Sequence, residues 1–519
     1  VSDTAEDLSR NTAVMAAGTV VSRLTGFGRV LALGYAIGAS RLTDSYNTAN
    51  TAPNIVYELV LGGVLSATLI PVFVDRLAAE EDEDRGWRDI SALATVALVG
   101  LVALAGLIVL AAPLVVGLLT ANNHSASAGA QRRVATDLLR LFAPQVVLLG
   151  AITFATAVLN VRRRFAAPMW SPILLNLWTI GVLVTYPHVA RGLTLDAARH
   201  DTRGLLWLGL GTTLGYAVQL VGLVPSLRRA GLRLRPTWDL RNPAVRLTVR
   251  LGSWTAGVVA ANLGAYILIV ALASGRAADY TVYTWAFAFF QLPHAIVAVS
   301  IMSALMPGLA ERWTAGDHAE FRRRVALGVR TTAAVLVPAA VGYALLAHPF
   351  IRLVLEHGRV GNGPARTTAD TLALFALGLP GFSLYLLLMR AYQAMKDTRT
   401  MFFLYLGENA LTVAGALALY PSLRVRGLAI AFVAPYTVFS VVALVRLGLL
   451  APVLQPLARI AVATAAMAAV VAGLLALFDS DALAVGSAVV VGGTVYVLLA
   501  AALGVDDLIA LLRIRRRPA

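Results

Sequence analysis

The residues most open to chemistry lie near the start of the chain, where Ser22-Arg23-Leu24-Thr25-Gly26-Phe27-Gly28-Arg29 interrupts an apolar stretch. A guanidinium in an apolar span is costly and marks a functional candidate. Two planar Arg forks suit the oxygens of a pyrophosphate. On a regular helix, six residues turn Arg29 by about 240° from Arg23. A shared cavity therefore needs a break, and Gly26 and Gly28 are where it is expected. The alternative is that one arginine snorkels to the membrane surface. A second pattern follows: Asp44, Asn47, Thr51, Asn54 and Glu58 are spaced 3, 4, 3 and 4, one face of a helix. Pro53 predicts a kink in it. The face is expected to line a wet cavity, with Asp44 positioning one of the arginines; a buried helix–helix seam is the alternative.

Farther along, Glu408, Asn409 and Thr412 place an acid and two neutral oxygen ligands within one turn, and Asn262 could join them. This is a candidate site for coupling to protons, sodium or the membrane potential; an acid kept neutral by a raised pKa is the alternative. Asp137 and Arg140, and Arg352 and Glu356, read as local ion pairs. The aromatic run from Tyr283 to Phe290 reads as packing or interface belt rather than a sugar platform. The chain has no cysteine and seven scattered histidines without ligand spacing, so no metal site and no cofactor are expected. No Walker A sequence or dinucleotide fingerprint is present, since Gly62-Gly63 and Gly26-x-Gly28 lack a βαβ context.

The elements that must hold these residues are helices in a bilayer. Of 519 residues, 58% are hydrophobic and only 14% charged, and the mean hydropathy is +0.75. Soluble domains carry roughly a quarter charged residues, so a soluble globule is excluded. Fourteen apolar segments are read at 12–37, 45–75, 90–119, 134–160, 168–187, 204–227, 247–274, 279–310, 325–355, 367–395, 400–420, 427–450, 457–478 and 482–505. The net charge of +15 is assigned to cytoplasmic loops rather than to nucleic-acid binding. With both termini cytoplasmic, about 27 of the 43 Lys and Arg fall on the inner side, including Arg162-Arg163-Arg164 and Arg322-Arg323-Arg324. Val1 to Asn11 lacks the basic region of a signal peptide.

The chain also repeats itself. Ser66-Ala67-Thr68-Leu69-Ile70-Pro71 leading to Asp75-Arg76 is echoed by Ser303-Ala304-Leu305-Met306-Pro307 leading to Glu311-Arg312. Pro113 and Pro349 follow at the same interval in the two copies, and Leu139–Ala143 is echoed by Leu372–Ala376. A shift of six spans preserves topology, which makes a parallel repeat. The expected fold is thus an all-α polytopic membrane protein with 14 transmembrane helices. Two parallel-repeat six-helix lobes, 1–227 and 228–450, surround a central cavity, and 451–519 adds two helices and a basic tail.

Ser22 to Arg29, Thr43-Asp44, Pro53-Asn54 and Gly63…Pro71 resemble the opening of the MurJ (MviN) lipid II flippases. Leu159-Asn160…Arg164-Phe165…Pro168, Leu175-Asn176 and Tyr392…Lys396-Asp397-Thr398-Arg399-Thr400 continue the likeness. The resemblance implies the MOP exporter fold in a bacterial plasma membrane, with the two added helices forming a groove for a lipid tail. It implies a flippase, not an enzyme, that moves lipid II, the undecaprenyl-pyrophosphate-linked disaccharide-pentapeptide, to the outer leaflet by alternating access. Its partners would be lipid II, membrane lipids and cell-wall synthesis proteins. Arg23, Arg29 and Asp44 match family positions thought to line the substrate cavity. Two departures stand out: Tyr57-Glu58 where many members carry an Arg pair, and Phe287, Ala288 and Gln291 where many carry Asp-Arg and a later Glu. The rival readings are a MATE-like drug/cation antiporter or a polysaccharide-lipid flippase of the same superfamily. A membrane glycosyltransferase is disfavoured, because the outer loop near 187–204 offers only Asp196 and Asp201.

Overall fold

The computed structural model describes residues 5–58, 83–243, 245–246 and 263–505. Every regular element among them is helical. Eleven described helices are long and apolar enough to cross a membrane, twelve when one bent pair counts as a single span. Each overlaps an expected span. The two expected spans left over, 45–75 and 247–274, run into residues outside the described set, as do Ser66–Pro71, Asn262 and the basic tail. The chain divides into two compact units, Val1–Thr281 and Val282–Ala519.

Unit 1 contains α1 (Ala5–Ile37), α2 (Arg41–Val56), α3 (Glu83–Leu119), α4 (Ala128–Phe142), α5 (Gln145–Val161), α6 (Ala166–Val189), a short α7 (Leu195–Arg199), α8 (Thr202–Arg229) and α9 (Leu263–Ala273). At 37 residues, α3 is about 55 Å long and must extend well past a ~30 Å hydrocarbon core. The expected break in the first span does not occur: α1 runs unbroken through Gly26 and Gly28. Those glycines serve packing instead. A methyl group on Gly26 would touch the Asn176 amide, and one on Gly28 would touch Ile180, both on α6. Asn176 Nδ2 donates to the Ser22 carbonyl and to Thr25 Oγ1, each at 3.1 Å, which stitches the two helices together. After α1 the chain turns through Gly38, whose φ of +77° suits a residue without a side chain. Ser40 then caps α2, accepting the Thr43 N–H.

Unit 2 takes up α10 (Asp279–Pro293), which starts in unit 1 and passes through a π-helical turn, His294–Ala298, into α11 (Val299–Thr314). There follow α12 (His318–Leu355), α13 (Asn362–Leu377), α14 (Leu379–Ala394), α15 (Thr398–Leu423), α16 (Val425–Arg446) and α17 (Leu450–Leu477). The last element, α18 (Asp481–Ser487), continues through a π-helical turn at Ala488–Gly492 into α19 (Gly493–Ala502). The sequence echoes fall on equivalent local features. Pro113 and Pro349 sit inside the long helices α3 and α12, at the same distance from their ends. Leu139–Ala143 and Leu372–Ala376 each run up to an interruption: Pro144 between α4 and α5, and Gly378 between α13 and α14, where the axis bends by 45°. Proline and glycine supply the physical cause in each case.

Candidate functional site

The polar face of α2 divides into two halves. Its first half is zipped shut. Asp44 is fully buried, and its carboxylate accepts hydrogen bonds from the Ala278 N–H (2.8 Å), the Thr281 N–H (3.1 Å) and Thr281 Oγ1 (2.7 Å). The Thr281 amide belongs to the first turn of α10 and the Ala278 amide immediately precedes it, where N–H groups have no helical partner of their own and the helix dipole favours an anion. One turn earlier, Arg41 donates to the Ser274 carbonyl at 2.8 Å and to the Gly275 carbonyl at 3.4 Å. These carbonyls lie just past the end of α9, where the dipole favours a cation. Arg41 also donates to Gln131 Oε1 (3.1 Å), and Asn122 Nδ2 reaches the Leu272 carbonyl (3.0 Å). Thus α2 closes the end of one helix with a cation and opens the next with an anion. Ala278, between them, holds a left-handed φ of +68°, a conformation alanine rarely adopts, fixed here by its N–H bond to Asp44.

Asn47 Nδ2 donates to Thr281 Oγ1 at 3.3 Å, and Thr51 shares a hydrogen bond with the Tyr280 hydroxyl, which lies 3.2 Å from that of Tyr266. The expectation of a wet face along all five residues therefore needs correction. Asp44, Asn47 and Thr51 form a buried seam, and Asp44 caps a helix rather than positioning an arginine. Asn54 and Glu58, the second half, are exposed. Arg29 is half-buried beside the Tyr216 hydroxyl and within electrostatic reach of Tyr46, whose own hydroxyl meets Thr212 Oγ1 at 3.2 Å. Arg23 is exposed, and the unbroken α1 leaves it on a different face from Arg29. The structure therefore separates the expected arginine pair. Sequence reasoning missed Arg41, Tyr216 and Tyr280. Arg41 had one local signal, its position directly after the capping Ser40, but nothing nearby named its targets.

In unit 2, Glu408, Asn409 and Thr412 do come together. Glu408 is buried and accepts from Thr412 Oγ1 (3.1 Å) and Asn409 Nδ2 (3.0 Å); the same amide donates to the Tyr405 carbonyl (2.9 Å). Tyr385, Tyr405 and Tyr436 lie within electrostatic reach of the acid. The aromatic run of α10 is packing: Tyr283 stacks on Phe287, and Phe287 meets Phe375 and Phe432 edge-on at 5.7 and 5.3 Å. The cluster continues through Phe290 and Phe382 to Tyr436. Phe287, one of the departures from the pattern the resemblance implies, is a ring inside an aromatic core. The Asp137–Arg140 pair forms at 3.6 Å. Arg352 does not pair with Glu356; it binds Asp481 through Nε (2.8 Å) and a second guanidinium nitrogen, because two parallel bonds outcompete one neighbour a turn away. Between α12, α17 and α19 lies an apolar cavity of about 410 Å³, lined by Pro338, Leu346, Met467, Val471 and Tyr496 among others.

Residues 33–492 match the family model described as lipid II flippase MurJ. A probable lipid II flippase MurJ of Rhizobium meliloti is 27% identical over 471 residues, which cover 89% of this chain and 86% of the relative. The lipid II flippase MurJ of Burkholderia cenocepacia is 26% identical over 414 residues, 79% of this chain and 78% of the relative. Among solved structures, a lipid II flippase MurJ in an inward closed conformation superposes with a TM-score of 0.80 at 18% identity, covering 95% of this chain and 99% of that one. An inward-facing multidrug resistance MATE family transporter gives 0.62 at 14% identity, covering 84% and 94%.

Proposed function

Since the chain belongs to the MurJ family of lipid II flippases, we infer that it moves lipid II from the inner to the outer leaflet of the bacterial plasma membrane for peptidoglycan synthesis. It is a polytopic transporter, not an enzyme. The family match along most of the chain carries this reading. The fold likeness to MATE transporters supports alternating access as the mechanism, because the superfamily shares that architecture. The finer arrangement we propose has fourteen spans in two parallel six-helix lobes, with both termini cytoplasmic and two added helices. The echoes at Pro113 and Pro349, and at Leu139 and Leu372, support the lobes.

Within this reading Arg29 is the principal pyrophosphate ligand. Its guanidinium is partly withdrawn from water, where a charge-assisted fork gains strength. Asn54 and Glu58 face the open part of the site, and Arg23 guides the anion toward it. Asp44, Asn47 and Thr51 hold the frame. The apolar cavity beside α17 and α19 receives part of the polyprenyl tail. Glu408 with Asn409 is the coupling locus, sensitive to sodium, protons or membrane potential.

Complementation of a depleted strain, with membrane protein levels and outer-leaflet lipid II measured together, tests the function and the site. Arg29→Ala is expected to abolish growth at normal protein levels, and Arg29→Lys to impair it partially, because lysine keeps the charge but not the fork. Normal outer-leaflet lipid II after depletion, with no second flippase present, would remove the function. Full growth with both Arg29→Ala and Arg23→Ala would move the pyrophosphate site elsewhere.

A further inference from the structure

The segment after α8 is an extended strap with a two-residue period. Leu232, Leu234, Pro236, Trp238 and Leu240 alternate with Arg233, Arg235, Thr237, Asp239 and Arg241. An extended chain sends alternate side chains to opposite sides. The strap is pinned along α3: the Arg235 N–H donates to Ser91 Oγ (3.1 Å), the Thr237 N–H to Thr95 Oγ1 (3.0 Å), and Asn242 Nδ2 to Asp89 Oδ1 (2.8 Å). Beneath it lies an apolar cavity of about 200 Å³ between α3, α5 and α8, lined by Leu98, Leu101, Phe154 and Leu220 and closed by Leu232 and Leu234. Its rim is basic. The guanidinium groups of Arg228, Arg229, Arg235 and Arg241 make no hydrogen bond or ion pair among the described residues. The acids of this segment are already engaged, Asp239 by the Arg241 N–H and Asp89 by Asn242. Trp238 and Leu240 are exposed, as suits residues placed at a membrane–water boundary.

We propose that this strap and cavity bind an anionic phospholipid, its headgroup on Arg229 and Arg235 and part of an acyl chain under Leu232 and Leu234. One amphiphile satisfies both features, since unpartnered guanidiniums take phosphate oxygens and an apolar cavity at their feet takes hydrocarbon. A soluble anion would leave the cavity without purpose. A neutral lipid would leave the rim unmatched. The site is independent of the transported cargo, as none of its residues belongs to the face of α2 or to α1.

The test uses the full chain in nanodiscs of phosphatidylglycerol or phosphatidylcholine with the same acyl chains. Retained lipid is counted by native mass spectrometry, and thermal stability is read in parallel. Phosphatidylglycerol should be retained and should raise the melting temperature over phosphatidylcholine. Arg229→Gln with Arg235→Gln should weaken retention, by about fivefold for each charge removed. Both guanidiniums are exposed and without partners among the described residues, so the fold should survive. Ala151→Phe, which fills the cavity, should lower retention of both lipids. Equal retention of the two lipids by the unaltered protein overturns the proposal. So does equal protection by inorganic phosphate alone, which would mean an anion site without a chain. Preferential displacement of phosphatidylglycerol by undecaprenyl phosphate would reassign the site to the cargo.

Discussion

Unit 1 and unit 2 solve the burial of polar and aromatic groups in opposite ways. In unit 1, the acid Asp44 is saturated by two backbone N–H groups and a hydroxyl, and Arg41 by two carbonyls. In unit 2, rings fill the core around Phe290, and among the described residues the buried acid Glu408 accepts from a hydroxyl and an amide side chain, both of its own helix. The difference teaches what each acid can do. Backbone donors cannot follow a carboxylate that changes charge, so Asp44 is committed to structure. Side-chain donors on one helix can rotate, which is the property the proposed coupling role of Glu408 requires. The hydrogen-bonded closure around α2 and the aromatic cluster around Phe290 also predict different responses to substitution.

The largest effect is expected in the aromatic core. Phe290→Ala should cost roughly 3–5 kcal/mol through the cavity it leaves, read as a fall in the unfolding midpoint in detergent; a shift near zero would mean that the ring cluster does not hold unit 2 together. Next comes Asp44→Ala, which strands two amides and a hydroxyl and should cost on the order of 3 kcal/mol. Asp44→Asn keeps one acceptor oxygen and should lose less. If Asp44→Asn instead abolished transport at full stability, Asp44 would be a ligand and the contrast with Glu408 would collapse. Glu408→Gln should sharpen the contrast from the other side. Stability should change little, while the dependence of lipid II transport on membrane potential or sodium weakens; unchanged dependence removes Glu408 from coupling.

The smallest effect concerns Asp397, the cap of α15 outside the membrane. The Thr400 hydroxyl and N–H, the former the stronger influence, hold its carboxyl below the usual range. A depressed pKa means that the stabilisation is complete above the unfolded value near 4 and fades as pH falls through the folded value. Asp397→Ala should therefore cost about 1 kcal/mol at pH 7 and nothing additional in strong acid. Melting curves of both proteins across that range should converge; parallel curves would deny the cap its charge.

The 3, 4, 3, 4 spacing was legible because helical period is local; Asp44, Asn47, Thr51 and Asn54 lie on α2, while Glu58 falls just past its end. What that face meets was not legible. The amides that occupy Asp44 come from Ala278 and Thr281, more than two hundred residues away. The glycines of α1 were ambiguous for a related reason: lack of a side chain permits both a kink and a close approach, and only the position of Asn176 and Ile180 decides for approach. Arg352 shows the same limit, since a neighbour four residues on is visible in sequence and the bidentate partner Asp481 is not.

By itself the sequence determined that this is a helical membrane protein with an internal repeat. Bilayer thickness sets span length, and the cost of buried charge sets composition, both without reference to any partner. Its motifs also indicated the flippase family. Only the tertiary structure decided which polar groups are spent on holding helices and which stay open to a ligand. A hydrogen bond is made over about 3 Å, and only the packed chain brings Asp44 that close to Thr281 while leaving Asn54 and Glu58 exposed.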